Sequence, residues 1–105
     1  MAQIPVEIKK IIDKYLMTLK EHNIPIRQAI LFGSFAKGNY EDWSDIDIAL
    51  VSDIFEGSRI KDKSKIRKIT LSVSSDIEVL PYRTEDFTKG DPFVNEIINT
   101  GIRII

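Results

Sequence analysis

Residues Gly33 to Leu50, GSFAKGNYEDWSDIDIAL, decide how this chain folds and what chemistry it can carry. They follow IRQAILF, Ile26 to Phe32, a short apolar run of strand-forming residues that stops at Gly33-Ser34. A strand is therefore expected to deliver a turn. Ser34 is a good N-cap residue, so a short helix is predicted to open there, its first backbone N–H groups facing outward with only an anion to bond. Gly33 has no side chain, which lets a phosphate come close to the main chain. After ten intervening residues, DIDIALV (Asp45 to Val51) begins with strict alternation. That pattern places Asp45 and Asp47 on one face of a second strand while Ile46 and Ile48 point into the core. Two carboxylates about 7 Å apart along a strand do not bond each other, but they can share divalent cations. Mg²⁺ takes one or two carboxylates and fills its remaining positions with water and substrate phosphate, so the pair suits Mg²⁺ with a nucleoside triphosphate better than a self-sufficient metal cage.

Working outward, Pro5 to His22 carries Ile8, Ile11, Ile12, Tyr15 and Leu19 at helical spacing, with Asn23 as a C-terminal stop. Strand one is expected over Arg27 to Gly33 and strand two over Asp45 to Ser52. Ile60, Ile66, Ile69 and Val73 suggest a second, more polar helix between Ser58 and Ser72. Strand three follows at Asp76 to Tyr82, where Pro81 fits an edge or a strand end better than a central position. Thr84 to Asp86 opens a short turn or helix. Asp91-Pro92 supplies an N-cap and first helical residue for a helix through Asn99, closed by Thr100-Gly101. Ile102 to Ile105 is expected to pair briefly or to cover apolar surface. No internal repeat or low-complexity tract interrupts this order. The expected fold class is α/β (α+β), a small mixed β-sheet flanked by helices, in a single domain over residues 1–105.

Composition bounds the function. The 105 residues are 43% apolar and 30% charged, enough for one core. With no cysteine, neither a disulfide framework nor a thiolate metal site is possible. Glu7, Lys9, Lys10, Asp13 and Lys14 interrupt the N-terminal segment, and no stretch approaches the length of a membrane span, so a cytoplasmic location is expected. A formal net charge of −1 disfavours a general nucleic-acid binder working through a basic surface. His22, at a helix end, reads as solvated or as compensating the helix dipole. Trp43 reads as a packed loop aromatic in preference to a border for a nucleotide. The run KDKSKIRK, Lys61 to Lys68, reads as a solvated helix face, with a docking surface as the alternative.

The first block resembles the Gly-Ser, ten residues, Asp-x-Asp signature of the DNA polymerase beta-like nucleotidyltransferase superfamily, and looks like its minimal nucleotidyltransferase (MNT) branch. Gly33, Ser34, Ala36, Gly38, Ser44, Asp45 and Asp47 fall where that branch has them. Lys37 stands where the branch often carries arginine and offers a point charge in place of a fork. Weaker likeness extends through Asp76 to Phe87 and Pro92 to Ile104. The superfamily takes a third carboxylate from a neighbouring strand. Glu78 occupies that place, where relatives usually have aspartate, and Asp76 is the other candidate on the same strand face.

The resemblance implies a polymerase beta-like fold and a definite chemistry. Asp45, Asp47 and Glu78 would hold two Mg²⁺ ions, while Gly33, Ser34 and Lys37 would bind the phosphates of ATP. Glu78 would also accept the proton of an attacking hydroxyl. Little sequence lies beyond the core, so recognition of the acceptor is expected from a partner. Members of this branch are commonly antitoxins paired with HEPN-family toxins, and some transfer AMP to a tyrosine of that toxin. The first expectation is thus an ATP-using protein adenylyltransferase that silences a partner toxin. Two alternatives are a small-molecule nucleotidyltransferase, such as a homodimer whose partner closes the site, and a non-catalytic antitoxin that masks its partner by binding.

Overall fold

The structure, a computed structural model, describes residues 4–105. In chain order the elements are α1 (Val6–Glu21), β1 (Gln28–Phe32), α2 (Ser34–Lys37), β2 (Ile46–Ser52), α3 (Arg59–Val73), β3 (Ile77–Arg83), a 3₁₀ turn (Thr84–Asp86), α4 (Pro92–Thr100) and β4 (Ile102–Arg103). The four strands lie in the order β3-β2-β1-β4. β1 pairs antiparallel with β2 and with β4, whereas β2 and β3 run parallel. The sheet is therefore mixed, in agreement with the expected fold class. Pro81 sits on β3, an edge strand, where a missing N–H is tolerated.

β2 is the centre of the molecule. Every one of its residues is buried except Asp47, which is half-buried. A strand covered on both faces reads as an unbroken apolar run, and Ile48 to Val51 is one. One face packs Leu31, Ile48, Leu50 and Val79 against Ile12, Tyr15 and Leu19 of α1 and Ile66 of α3. The other packs Ile30, Ala49, Val51 and Tyr82 against Val94 and Ile97 of α4. Inside the first layer the Tyr15 hydroxyl lies 2.6 Å from Thr70 Oγ1 and ties α1 to α3. Burial pushes that hydroxyl up to about 12, the hydrogen bond to Thr70 partly offsetting it.

Local signals end the helices where the sequence suggests. His22 caps α1 and its Nδ1 lies 2.9 Å from the Thr18 carbonyl oxygen, while Asn23 turns the chain at φ +61°. Asp91 Oδ1 accepts from the backbone N–H groups of Phe93 (2.8 Å) and Val94 (3.3 Å), with Pro92 in the first turn of α4. Asp62, fully buried near the start of α3, accepts from the amides of Glu56 (2.8 Å) and Gly57 (3.0 Å) and so fastens the β2–α3 loop. Gly101 is needed for close approach: a Cβ there would overlap the Ile97 carbonyl and lie 2.6 Å from Ile30 Cγ2 and 2.9 Å from the Leu31 oxygen. The end of α4 therefore rests directly on β1, and the following Ile102 pairs with Leu31.

Two expectations are corrected. β2 starts at Ile46, so Asp45 precedes the strand, its neighbour's amide being taken by the Asp76 carbonyl at 2.8 Å. Ile60 does not join the apolar stripe of α3 but is 82% exposed, because the buried face of that helix follows Asp62, Ile66 and Thr70.

Candidate active site

The site forms where the end of β1 meets the start of β2. Antiparallel register sets Phe32 opposite Asp47, so the next residue, Gly33, turns beside that carboxylate. Gly33 has φ +74° and ψ −152°, a backbone region that is essentially glycine's own. A Cβ on Gly33 would overlap the Asp47 carboxylate, with Asp47 Cγ 3.1 Å and Asp47 Cβ 3.3 Å away. The missing side chain thus makes room for Asp47 as well as for a ligand.

Gly33, and not Ser34, is the N-cap of α2; Ser34 is its first residue and makes no side-chain cap. The physical reason is the dihedral just described, which suits glycine, so helical geometry begins at Ser34 itself, one residue earlier than a Ser34 cap would give. Lys37 N–H bonds the Gly33 carbonyl at 3.1 Å and Gly38 N–H the Ser34 carbonyl at 2.9 Å. The amides of Ser34, Phe35 and Ala36 precede this first bonded turn and have no intrahelical acceptor, as at any helix start.

Asp45 stands beside Asp47, and Glu78 of β3 lies directly across from Asp47 in the parallel register. The Asp47 carboxyl is raised above the ordinary aspartate range, first by burial and then by the negative charges of Asp45 and Glu78. Asp47 is therefore within electrostatic reach of both other carboxylates. The three do not converge fully: Glu78 Oε1 is 2.7 Å from Lys63 Nζ on α3. Among the described residues, no three acidic or imidazole side chains close into a ready-made metal-holding group. Asp76 is a turn residue: its N–H bonds Ser74 Oγ at 3.1 Å and its carbonyl accepts from Ile46. Lys37 borders a cleft of about 110 Å³ with Gly33 and Phe93, but its ammonium points to Glu96 Oε1 at 3.8 Å.

This donor set fits a hard divalent cation. It offers carboxylate oxygens alone, on an end of the sheet open enough for water and phosphate to complete the coordination, and a cation would relieve the mutual repulsion that raises Asp47.

The loop between α2 and Asp45 corrects the expectation for Trp43. Ser44 N–H bonds the Glu41 carbonyl (3.1 Å) and Glu41 N–H bonds Ser44 Oγ (2.8 Å), closing a tight turn. Trp43 lies in this turn and is 80% exposed. Tyr40 is the aromatic that packs, stacked on Phe35 at 4.6 Å between ring centroids. The basic run is also partly committed to its own fold, since Lys65 Nζ reaches Glu56 (3.2 Å) and Asp62 (3.6 Å). Lys63 is the site neighbour that sequence reasoning missed. It stood only as one cation among many, because no local pattern links it to Glu78, fifteen residues on.

Comparison with known proteins agrees with this geometry. Residues 8–105 match the family described as Polymerase beta, Nucleotidyltransferase. The chain is 32% identical over 101 residues to "Putative protein adenylyltransferase MJ0141" of Methanocaldococcus jannaschii, covering 94% of this chain and 97% of that one. A second protein of that organism, "Putative protein adenylyltransferase MJ0604", is 43% identical over 47 residues, 44% of this chain and 47% of the relative. Among solved structures, a toxin-antitoxin crystallised with AMP-PNP superposes with a TM-score of 0.62 at 22% identity, covering 89% of this chain and 71% of that chain. A crystal structure of "a putative nucleotidyltransferase from Sulfolobus solfataricus" gives 0.59 at 19% identity, over 98% and 89%. At these identities the two structures speak for the fold. No helix of the described residues is long and apolar enough to cross a membrane. With residues 8–105 of the chain matching the family and a curated relative matched over 97% of its length, this chain belongs to the polymerase beta nucleotidyltransferase family and is a minimal nucleotidyltransferase.

Proposed function

We propose that this protein transfers AMP from ATP to a hydroxyl of a partner protein, a tyrosine of a HEPN-type toxin that is silenced by the modification. The observation that carries this reading is the meeting of three elements at one end of the sheet: the Gly33 turn, Asp47 packed against it, and Glu78 opposite Asp47. The names of the matched relatives and the toxin-antitoxin neighbour support the choice of a protein acceptor.

Each residue has a separate task. The amides of Ser34, Phe35 and Ala36, with the Ser34 hydroxyl, bind the β- and γ-phosphates. Lys37 adds positive charge near the phosphates once it leaves Glu96. Asp45, Asp47 and Glu78 would hold two Mg²⁺ ions, which when bound neutralise the triphosphate and make the acceptor hydroxyl more acidic. Glu78 accepts the acceptor's proton. The acceptor oxygen forms a bond to the α-phosphorus, the bond from that phosphorus to the β-phosphate oxygen breaks, and pyrophosphate leaves with its electron pair. Positioning and charge neutralisation provide most of the rate, as in phosphoryl transfer generally.

The test is intact-mass spectrometry of a co-purified or genomically adjacent protein after incubation with this chain, Mg²⁺ and each nucleoside triphosphate in turn. A gain of one or more AMP groups with ATP, lost in Asp45→Asn and Asp47→Asn, is expected. Turnover retained in either folded variant would refute the carboxylate assignment. A stable complex without any mass gain would refute transfer to protein and leave masking by binding.

A further inference from the structure

We propose that Lys63 is a positioning residue for the third carboxylate: its ammonium holds Glu78 aside and competes with a divalent cation for it. This rests on the reading that Asp45, Asp47 and Glu78 belong to one cation site.

The parallel register of β2 and β3 sets Glu78 across from Asp47 on the same face of the sheet, so a relaxed Glu78 side chain would stand beside the Asp47 carboxylate. Instead Glu78 Oε1 is 2.7 Å from Lys63 Nζ. The route Lys63 takes is unusual. α3 packs on the opposite face of the sheet, with α1. Lys63 therefore reaches Glu78 only by passing around the open edge of β3. The pair lines a groove of about 380 Å³ between α3 and β3, together with Ile60, Leu71, Ile77 and Val79. Such apolar walls support a lysine stem while its charged end stays at the rim.

The strength of the contact suits a device that yields. Lys63 and Glu78 are 40% and 57% exposed, the range in which ion pairs are weak. A cation gripped by two further carboxylates can displace the ammonium, yet the competition is large enough to measure. Lys65, a nearby cation on the same helix, is held by Glu56 and Asp62, and Arg67 lines the same groove, but the ammonium paired with Glu78 is that of Lys63.

The experiment is titration of the full chain with Mn²⁺, without nucleotide, reading free Mn²⁺ by electron paramagnetic resonance. Lys63→Met is expected to tighten Mn²⁺ binding about two- to fivefold, up to about 1 kcal/mol at 1.4 kcal/mol per decade. Lys63→Arg, which keeps the charge, should behave as wild type. Arg67→Met, which removes a charge one helical turn away, should change affinity less than Lys63→Met. In a Glu78→Gln background the Lys63→Met effect should vanish. Weaker binding in Lys63→Met, an effect equal to that of Arg67→Met, or an effect that survives Glu78→Gln would each overturn the proposal. Asp45→Asn and Asp47→Asn separate the two levels. If neither weakens Mn²⁺ binding, the cation site itself is wrong; if both do while Lys63→Met is silent, only the role of Lys63 is.

Discussion

Replacing Gly33 by alanine should damage this protein twice, and the two injuries can be measured apart. The first is conformational. At φ +74° and ψ −152° an L-residue with a Cβ is strained, at a cost of roughly 1–3 kcal/mol. The second is steric: the new methyl overlaps the Asp47 carboxylate and lies 3.1 Å from Cγ, so the carboxylate must swing away. Typical domain stability of about 5–15 kcal/mol exceeds the first cost, so the variant should still fold. At about 4–8 °C per kcal/mol for a domain of this size, its melting temperature should fall by roughly 5–20 °C. Displacing a ligand through its neighbour typically costs about 10–100-fold in metal affinity, so Mn²⁺ binding should weaken by that factor. Thermal and urea denaturation followed by circular dichroism read the first effect and Mn²⁺ titration the second. In an Asp47→Ala background, Cγ and the carboxylate oxygens are gone and only the 3.3 Å approach to Cβ remains, so the same substitution should cost little beyond its dihedral part. An alanine variant that melts and binds like wild type would refute both the conformational argument and the packing of Gly33 on Asp47.

Three further outcomes are expected. Asp47→Asn should stabilise the fold at neutral pH by a few tenths to about 1 kcal/mol while abolishing transfer, because it removes a half-buried charge that also feels the like charges of Asp45 and Glu78. Since the folded Asp47 carboxyl is raised, its ionisation opposes folding: wild type should gain stability relative to Asp47→Asn as pH falls through that range, which urea titrations from neutral to acid pH will show. Tyr15 holds its proton to about 12 in the folded chain against 10.0 unfolded, so stability should fall by up to about 1.4 kcal/mol per pH unit between these values. Tyr15→Phe should remove that alkaline slope at a cost of about 1 kcal/mol at neutral pH, the worth of its bond to Thr70. Gly101→Ala should destabilise by about 1–3 kcal/mol, because the added methyl meets backbone oxygens of Ile97 and Leu31 that cannot rotate away; an unchanged denaturation midpoint would show that α4 does not sit on β1 as described.

What could be read from the chain alone was whatever a few neighbouring residues decide. Asp91-Pro92 opened α4 and Asn23 stopped α1, because a cap depends only on the donors and dihedrals of one turn. Alternation at Ile46 to Ile48 put Asp47 on the face opposite the isoleucines, because a pleat has period two. Pro81 marked an edge strand because it lacks an N–H. The spacing from Gly33 to Asp47 was enough to point to the family, since it lies within one stretch of chain. The remaining features depend on which strands meet. Sequence spacing does not show that Glu78 faces Asp47 thirty-odd residues away, that Gly33 is glycine partly to admit Asp47, or that Gly101 is pressed on β1. It also misassigned the cap of α2, the strand start at Asp45 and the packing of Trp43: Gly33 caps the helix that starts at Ser34, β2 begins at Ile46, and Tyr40 is the aromatic stacked on Phe35. Local structure follows from bonds within a turn, and sequence holds those; the site follows from strand register and from which charge a flexible carboxylate reaches first, and only the assembled sheet decides that.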